Sequence, residues 1–191
     1  MAAILIDPGH GGPDPGACAN GLREADITLT AGKLLMALLR QRGHTAYLTR
    51  DTDTALAHDK AGDLEERCEM ERKLRPALTV SLHCNAAENG AAKGFEVWTS
   101  PGQTRSDQAA ELIVGAFATQ FPGRLIRRDL SDGDADKEAK FRVLTGTHGP
   151  AVLVEFGFLT NPVEAQWIKG ELPRICQAMA VGIESFVEGV V

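Results

Sequence analysis

Ile4-Leu5-Ile6-Asp7-Pro8-Gly9-His10-Gly11-Gly12 is an apolar run halted by a glycine turn that carries an imidazole. Two later segments share this construction, an apolar run closed by a chemically capable side chain: Leu78-Thr79-Val80-Ser81-Leu82-His83 and Ala151-Val152-Leu153-Val154-Glu155. Short apolar runs of this kind fit strands buried on both faces of a parallel sheet. In an open α/β sheet the carboxyl ends of the strands gather in one crevice, where such folds bind their ligands. His10, His83 and Glu155 are therefore expected at one site, with Glu24 joining them from the start of the first long helix. Two histidines and a carboxylate can hold a zinc ion and leave one coordination position open, the pattern of a catalytic site. The further glutamate then has a proton-carrying task beside an activated water.

Outward from these runs, apolar strands alternate with helical patterns, which predicts an α/β fold with a largely parallel sheet. Strand one covers Ala3 to Asp7. A helix is predicted from about Glu24 to Arg42, with Ile27, Leu34, Leu35, Leu38 and Leu39 near helical spacing and Gly43 as its stop. Strand two is Thr45 to Thr49, and a charged helix spans about Leu64 to Leu74, barred from continuing by Pro76. Gly94 to Thr99 is a further strand; too few residues separate it from Leu78 to His83 for a crossover helix, so it is expected to run antiparallel to that strand. Helices are predicted over Ser106 to Gln120 and Leu172 to Val187, and the acidic stretch Ser131 to Glu138 reads as a solvated loop. Without a repeat, a low-complexity tail or a linker, residues 1–191 are expected to form a single catalytic domain.

The chain has 191 residues, 43% hydrophobic and 24% charged, ordinary values for a globular domain with a sizeable core. Its net charge of −6 argues against nucleic acid as the main partner, since phosphate binding needs a basic surface. Phe, Tyr and Trp together make up 5% of the chain, too little for an extended stacking platform. Met1-Ala2-Ala3-Ile4-Leu5-Ile6-Asp7 lacks the basic start and small-residue cleavage site of a secretory signal. No stretch reaches the roughly 20 apolar residues of a membrane span. Cys18, Cys68, Cys84 and Cys176 form no CxxC pair and read as reduced thiols of a protein made in the cytoplasm.

Each candidate residue also has a structural explanation. His10 in its glycine turn fits a loop without chemistry; a phosphate cradle is disfavoured because Pro8, Pro13 and Pro15 remove amide donors and no GxGxxG or GxxxxGK[ST] spacing is present. Glu24, like Asp26, would complement a helix dipole in the first turn. His83 would be a core histidine, but its place before Cys84-Asn85-Ala86-Ala87 favours a site, whereas Cys84 would face the opposite side of the strand as a buried thiol. Glu155 follows four apolar residues, and an unpaired buried charge is costly, so it needs a metal, a strand-end position or a partner such as Arg142. Glu96, His44, His58 and His148 read as structural: Glu96 facing solvent, His44 exposed after a glycine, His58 in a charged loop, His148 in a turn near the last strand.

Taken together, Ile6-Asp7-Pro8-Gly9-His10-Gly11-Gly12, Thr49-Arg50-Asp51-Thr52-Asp53, Ser81-Leu82-His83-Cys84-Asn85-Ala86 and Val154-Glu155-Phe156-Gly157-Phe158-Leu159-Thr160-Asn161-Pro162 make the chain resemble the zinc-dependent N-acetylmuramoyl-L-alanine amidases of the amidase-3 type, which serve cell-wall turnover and phage lysis. The resemblance runs from about Ile4 to Phe186. It implies a six-stranded, mainly parallel sheet flanked by helices, of the phosphorylase/hydrolase-like kind. It also implies one Zn2+ held by His10, Glu24 and His83, with Glu155 as the catalytic glutamate. Members often carry Asn about eleven residues before the second zinc histidine, where Arg72 stands here, and Asn89 to Ala92 is too short for the autoinhibitory helix of periplasmic division amidases.

On this resemblance the bond cut is the amide between the lactyl group of N-acetylmuramic acid and L-alanine. Asp7 would orient a ligand from behind, and Asn85 would shape its turn. The expected partner is peptidoglycan, met by a monomer as an endolysin or autolysin that reaches the wall after release, with no nucleic acid or membrane partner. A zinc peptidase or deacetylase acting on other wall components would use the same residues, and a non-catalytic wall-binding module would keep only the fold.

Overall fold

The computed structural model describes residues 1–130 and 133–189. Its main sheet has six strands in the order β4-β1-β5-β8-β6-β7. These are β1 (Ala3–Pro8), β4 (Thr45–Leu48), β5 (Leu78–Asn85), β6 (Glu96–Thr99), β7 (Lys137–Glu138) and β8 (Ala151–Phe158); β2 (Cys18–Ala19) and β3 (Leu22–Arg23) form a separate small hairpin. The run β4-β1-β5-β8 is parallel throughout, and β6 pairs antiparallel with β8. The direction expected for Gly94 to Thr99 therefore holds, but β8 lies between it and β5.

Helices cover both faces. α5 (Pro162–Glu188) packs against both α1 (Glu24–Gln41) and α3 (Arg105–Gln120), while α2 (Lys60–Leu74) and the short α4 (Arg142–Thr145) pair on the other side. Strand alternation sorts the side chains between them. Ile4 and Ile6, Val80 and Leu82, and Val152, Val154 and Phe156 enter the larger core, whereas Ala151 and Leu153 join Val143 and Leu144 in a smaller one. Polar residues collect on that second face, with Asp7 beside Ser81 and His83 beside Glu155 in the strand register.

Several boundaries depart from the sequence expectation. α5 begins at Pro162 rather than near Leu172: Asn161 caps it by accepting from the amides of Val163 and Glu164, and proline is favoured in the first turn. Pro173 does not break it, because the carbonyl it leaves unbonded, that of Lys169, belongs to an exposed residue. The stretch expected to be a solvated loop is built differently where described: Ala135 and Asp136 are buried, and Lys137–Glu138 adds an edge strand to β6. Ser131 and Asp132 lie outside the described residues. No helix among the described residues is long and apolar enough to cross a membrane.

Candidate active site

β1 and β5 are neighbours, yet the chain leaves β1 toward β4 on one side and returns to β5 on the other. Strand order reverses between them, so their carboxyl ends frame the crevice where an open α/β sheet binds ligands. His10 follows β1 and His83 lies near the end of β5. Glu24 arrives from the third direction as the first residue of α1, its backbone amide bonded to the Ala17 carbonyl at 2.9 Å.

These three side chains converge. Glu24 Oε1 lies 3.1 Å from His10 Nε2 and 3.0 Å from His83 Nδ1. Its carboxylate is anchored from behind, Oε2 accepting from the Ala17 amide at 2.8 Å and Oε1 from the Cys84 amide at 2.9 Å. Burial pushes the Glu24 carboxyl up, but the hydrogen bonds and charge of His10 and His83 outweigh it and hold the group well below the usual carboxylate range. The imidazoles meet edge to face, with centroids 5.0 Å apart. Close backbone approach makes this possible: a Cβ on Gly9 would stand 2.3 Å from the His83 ring, and one on Gly16 would stand 2.5 Å from Glu24 Oε2.

His10 adopts φ 63°, a left-handed conformation that costs a non-glycine residue about 1–3 kcal/mol. Two buried arginines hold its loop. Arg67 donates to the carbonyls of Pro8 at 2.8 Å and His10 at 2.9 Å, and Arg50 donates to those of Pro8 and Gly9 at 2.9 Å each. Asp7 does not touch a histidine side chain, contrary to its expected role. It accepts from Thr49, Ser81 and Arg67, and so braces the arginine that fixes the His10 backbone. Burial raises the Asp7 carboxyl, and Arg67 with these hydrogen bonds more than reverses that. The residue that meets an imidazole from behind is Asp14, whose Oδ2 lies 3.0 Å from His10 Nδ1.

Glu155 sits in a row across three strands, opposite His83 on β5 and opposite Glu96 on β6. Its Oε2 is buried with no hydrogen-bond partner among the described residues. Burial, reinforced by the charges of Glu24 and Glu96, pushes its carboxyl well above the usual range. Arg142, the partner suggested as a structural alternative, pairs with Glu65 instead. Glu96 is buried rather than solvent-facing, and Arg127 at 2.9 Å, Lys137 at 3.0 Å and Asn85 satisfy it. Asn85 thus ties β5 to Glu96 as well as ending a strand.

Cys84 is buried in the larger core, on the opposite face from His83, as alternation predicts. His58 is exposed and His148 lies near Glu71, its amide donating to Glu71 Oε2 at 2.9 Å. His44 is buried, against expectation. Asp14, Arg50 and Arg67 carry roles that sequence reasoning missed. Asp14 stands four residues from His10, and Arg50 lies within Thr49-Arg50-Asp51-Thr52-Asp53; an arginine in a charged helix, such as Arg67, gives no local signal.

The donor set fits a zinc-class ion. A tetrahedral ion with bonds of about 2.0–2.1 Å separates its ligand atoms by roughly 3.3 Å, close to the 3.0 and 3.1 Å found here. The ligand atoms of His10, Glu24 and His83 all lie within 4.8 Å of one another. The Glu155 oxygen, without a hydrogen-bond partner among the described residues, also feels the charge of the Glu24 carboxylate, negative charge that a dication would relieve.

Residues 4–185 match the family model described as N-acetylmuramoyl-L-alanine amidase, and the chain belongs to that family. It is 30% identical over 189 residues to the "Probable cell wall amidase LytH" of Staphylococcus saprophyticus, an alignment that takes in 96% of this chain and 57% of that protein. The protein of the same name from Staphylococcus aureus is 29% identical over 188 residues, with the same coverages. The chain therefore spans 57% of the length of these curated relatives. Among solved structures it is similar to the CwlD amidase of Clostridioides difficile, determined in complex with the GerS lipoprotein, with TM-score 0.86, 25% identity and 99% and 100% of the two chains covered. It is likewise similar to the catalytic domain of CwlV, an N-acetylmuramoyl-L-alanine amidase from Bacillus (Paenibacillus) polymyxa var. colistinus, with TM-score 0.85, 27% identity and 98% and 99% covered.

Proposed function

We propose that residues 1–191 are one catalytic domain that hydrolyses the amide between N-acetylmuramic acid and L-alanine of peptidoglycan, as a monomeric endolysin or autolysin that reaches the wall after release. The observation that carries this is the convergence of His10 and His83 on Glu24, next to a Glu155 oxygen with no hydrogen-bond partner among the described residues. His10, Glu24 and His83 would hold one Zn2+, which when bound lowers the pKa of water toward neutrality and polarises the scissile carbonyl.

The chain's own groups do the rest. Asp14 fixes the His10 tautomer by accepting from Nδ1–H, leaving the Nε2 lone pair free to bind. Glu155 takes a proton as the water oxygen adds to the carbonyl carbon, and returns it to the nitrogen as the C–N bond breaks. Burial and the neighbouring carboxylates raise its affinity for a proton, which favours the first half of that task. A cleft of about 230 Å³ beside the site joins an apolar wall of Leu64, Phe141, Val143 and Leu153 to Lys60 and Arg142. The same cleft carries the carboxylates of Asp14, Asp63 and Glu155, so it offers apolar contact together with groups of both charges to a lactyl-peptide.

The deciding experiment is mass analysis of products from purified sacculi, combined with the metal content of the protein. Release of stem peptides with a free L-alanine amine, leaving intact lactyl groups on the glycan, is the expected result. Cleavage within the peptide, or loss of acetyl groups, would replace the amidase with a peptidase or deacetylase, and no cleavage would leave a wall-binding module.

A further inference from the structure

A second cluster of ligand-type side chains lies at the opposite end of the sheet, where α1 turns into β4. His44 follows Gly43 in that turn, and its backbone amide donates to the Leu39 carbonyl at 3.1 Å. Its side chain is only 3% exposed, and neither Nδ1 nor Nε2 has a hydrogen-bond partner among the described residues. In either neutral tautomer an imidazole offers one donor and one acceptor, so burying it this way forfeits both bonds with water. Such groups are rare in native proteins and call for an occupant.

The last turns of α5 supply its counterpart. Glu184 and Glu188 are four residues apart and so share a helix face. Glu184 Oε1 stands 3.9 Å from His44 Nε2, too far for a hydrogen bond. Its other oxygen accepts from Arg42 Nη1 at 2.8 Å, which fixes the carboxylate. One ligand atom from each of His44, Glu184 and Glu188 lies within 4.8 Å of the others. A tetrahedral ion with bonds of about 2.0–2.2 Å holds its donors roughly 3.4 Å apart, so His44 and Glu184 need close only slightly from 3.9 Å to share one.

We propose that His44, Glu184 and Glu188 form a second metal site, for a transition dication of the zinc class. The imidazole donor favours such an ion over Mg2+ or Ca2+, which take oxygen ligands. Glu188 is exposed, so solvent completes the coordination and the ion exchanges freely. This site is remote from the crevice and takes no part in hydrolysis. It staples the carboxyl end of α5 to the α1–β4 turn, so metal binding there stabilises the folded chain by mass action.

The test is zinc titration of the metal-stripped full chain, comparing wild type with Glu188→Gln and His44→Gln. Wild type should take up one more equivalent of zinc per chain than either variant, and zinc should raise its melting temperature further than that of Glu188→Gln. Hydrolytic activity of Glu188→Gln should equal that of wild type. The difference between wild type and variant decides the matter, whatever number of ions the His10–Glu24–His83 site holds, so failure of that site and of this one are distinguishable. If His44→Gln does not fold, the exposed Glu188→Gln decides alone. Equal zinc uptake by wild type and Glu188→Gln would overturn the proposal, including the case where the variant merely loses stability in the absence of zinc, which would make the cluster an ion pair of imidazolium with carboxylates.

Discussion

Asp14 Oδ2 lies 3.0 Å from Nδ1 of His10, and the same ring presents Nε2 to Glu24 Oε1 at 3.1 Å. A carboxylate behind a ligating histidine fixes its tautomer and orientation, and losing such a partner typically costs about 10–100-fold in metal affinity. Asp14→Ala should therefore bind zinc that much more weakly, with activity restored by added zinc. Asp14 is 43% exposed, so the fold should be nearly indifferent. Chelator competition against wild type measures the affinity, and an unchanged value would leave Asp14 a bystander.

The Asp7–Arg67 pair, at 2.6 Å and buried on both sides, gives a prediction of another kind. Removing one member of a buried ion pair strands the other and costs about 3–5 kcal/mol. Arg67→Leu should show a loss of that size in urea unfolding, with the buried Asp7 stripped of its counter-charge and the His10 carbonyl released. Asp7→Asn should cost less, because Asn still accepts from Thr49 or Ser81. Equal small losses in both would mean that the pair contributes little.

How far the fold and site were legible follows from which signals are local. His10, His83 and Glu155 announce themselves because an apolar run must end where the sheet meets the crevice, and a polar residue there is conspicuous. Glu24 was visible only through the helix it begins. What the chain could not display along its length is pairing across strands. The insertion of β8 between β5 and β6 buries Glu96, a residue whose alternation with Phe95 and Val97 suggested an exposed face. Two-residue strands such as Lys137–Glu138 carry no period at all, so the stretch around Asp136 passed for a loop. His44 failed the same way: a residue after a helix-ending glycine is usually exposed, but here α5 returns across the chain to cover it. The start of α5 was legible in Asn161-Pro162 as a cap signal, and Pro173 obscured it.

Asp136 sets a pH dependence. Burial, with the adjoining Asp134 and more distant Asp107, raises its carboxyl from 3.8 to about 7, even though Thr99 donates to it. A carboxyl whose folded pKa exceeds its unfolded one stabilises the fold fully below the unfolded value. That contribution is lost as pH rises from about 4 through about 7, because over this range the native state binds more protons. Asp136→Asn can still accept from Thr99 and never ionises, so it should be more stable than wild type at pH 8, with the gain shrinking toward pH 4. Urea unfolding at several pH values reads this directly. A gain that does not vary with pH would assign it to packing.

Glu155→Gln separates chemistry from architecture. Gln keeps the size of the side chain but cannot carry the water proton, and general acid–base catalysis is typically worth ~10²–10⁴-fold, so hydrolysis of sacculi should fall by that order. Stability should hold or rise. No basic partner is stranded, since Arg142 pairs with Glu65, and Gln removes a carboxyl whose ionisation burial, Glu24 and Glu96 disfavour. Zinc content should match wild type if His10, Glu24 and His83 are the ligands. A folded, zinc-loaded, inactive variant is the expected outcome. Loss of zinc would make Glu155 a ligand, and retained activity would move the proton transfer to another group.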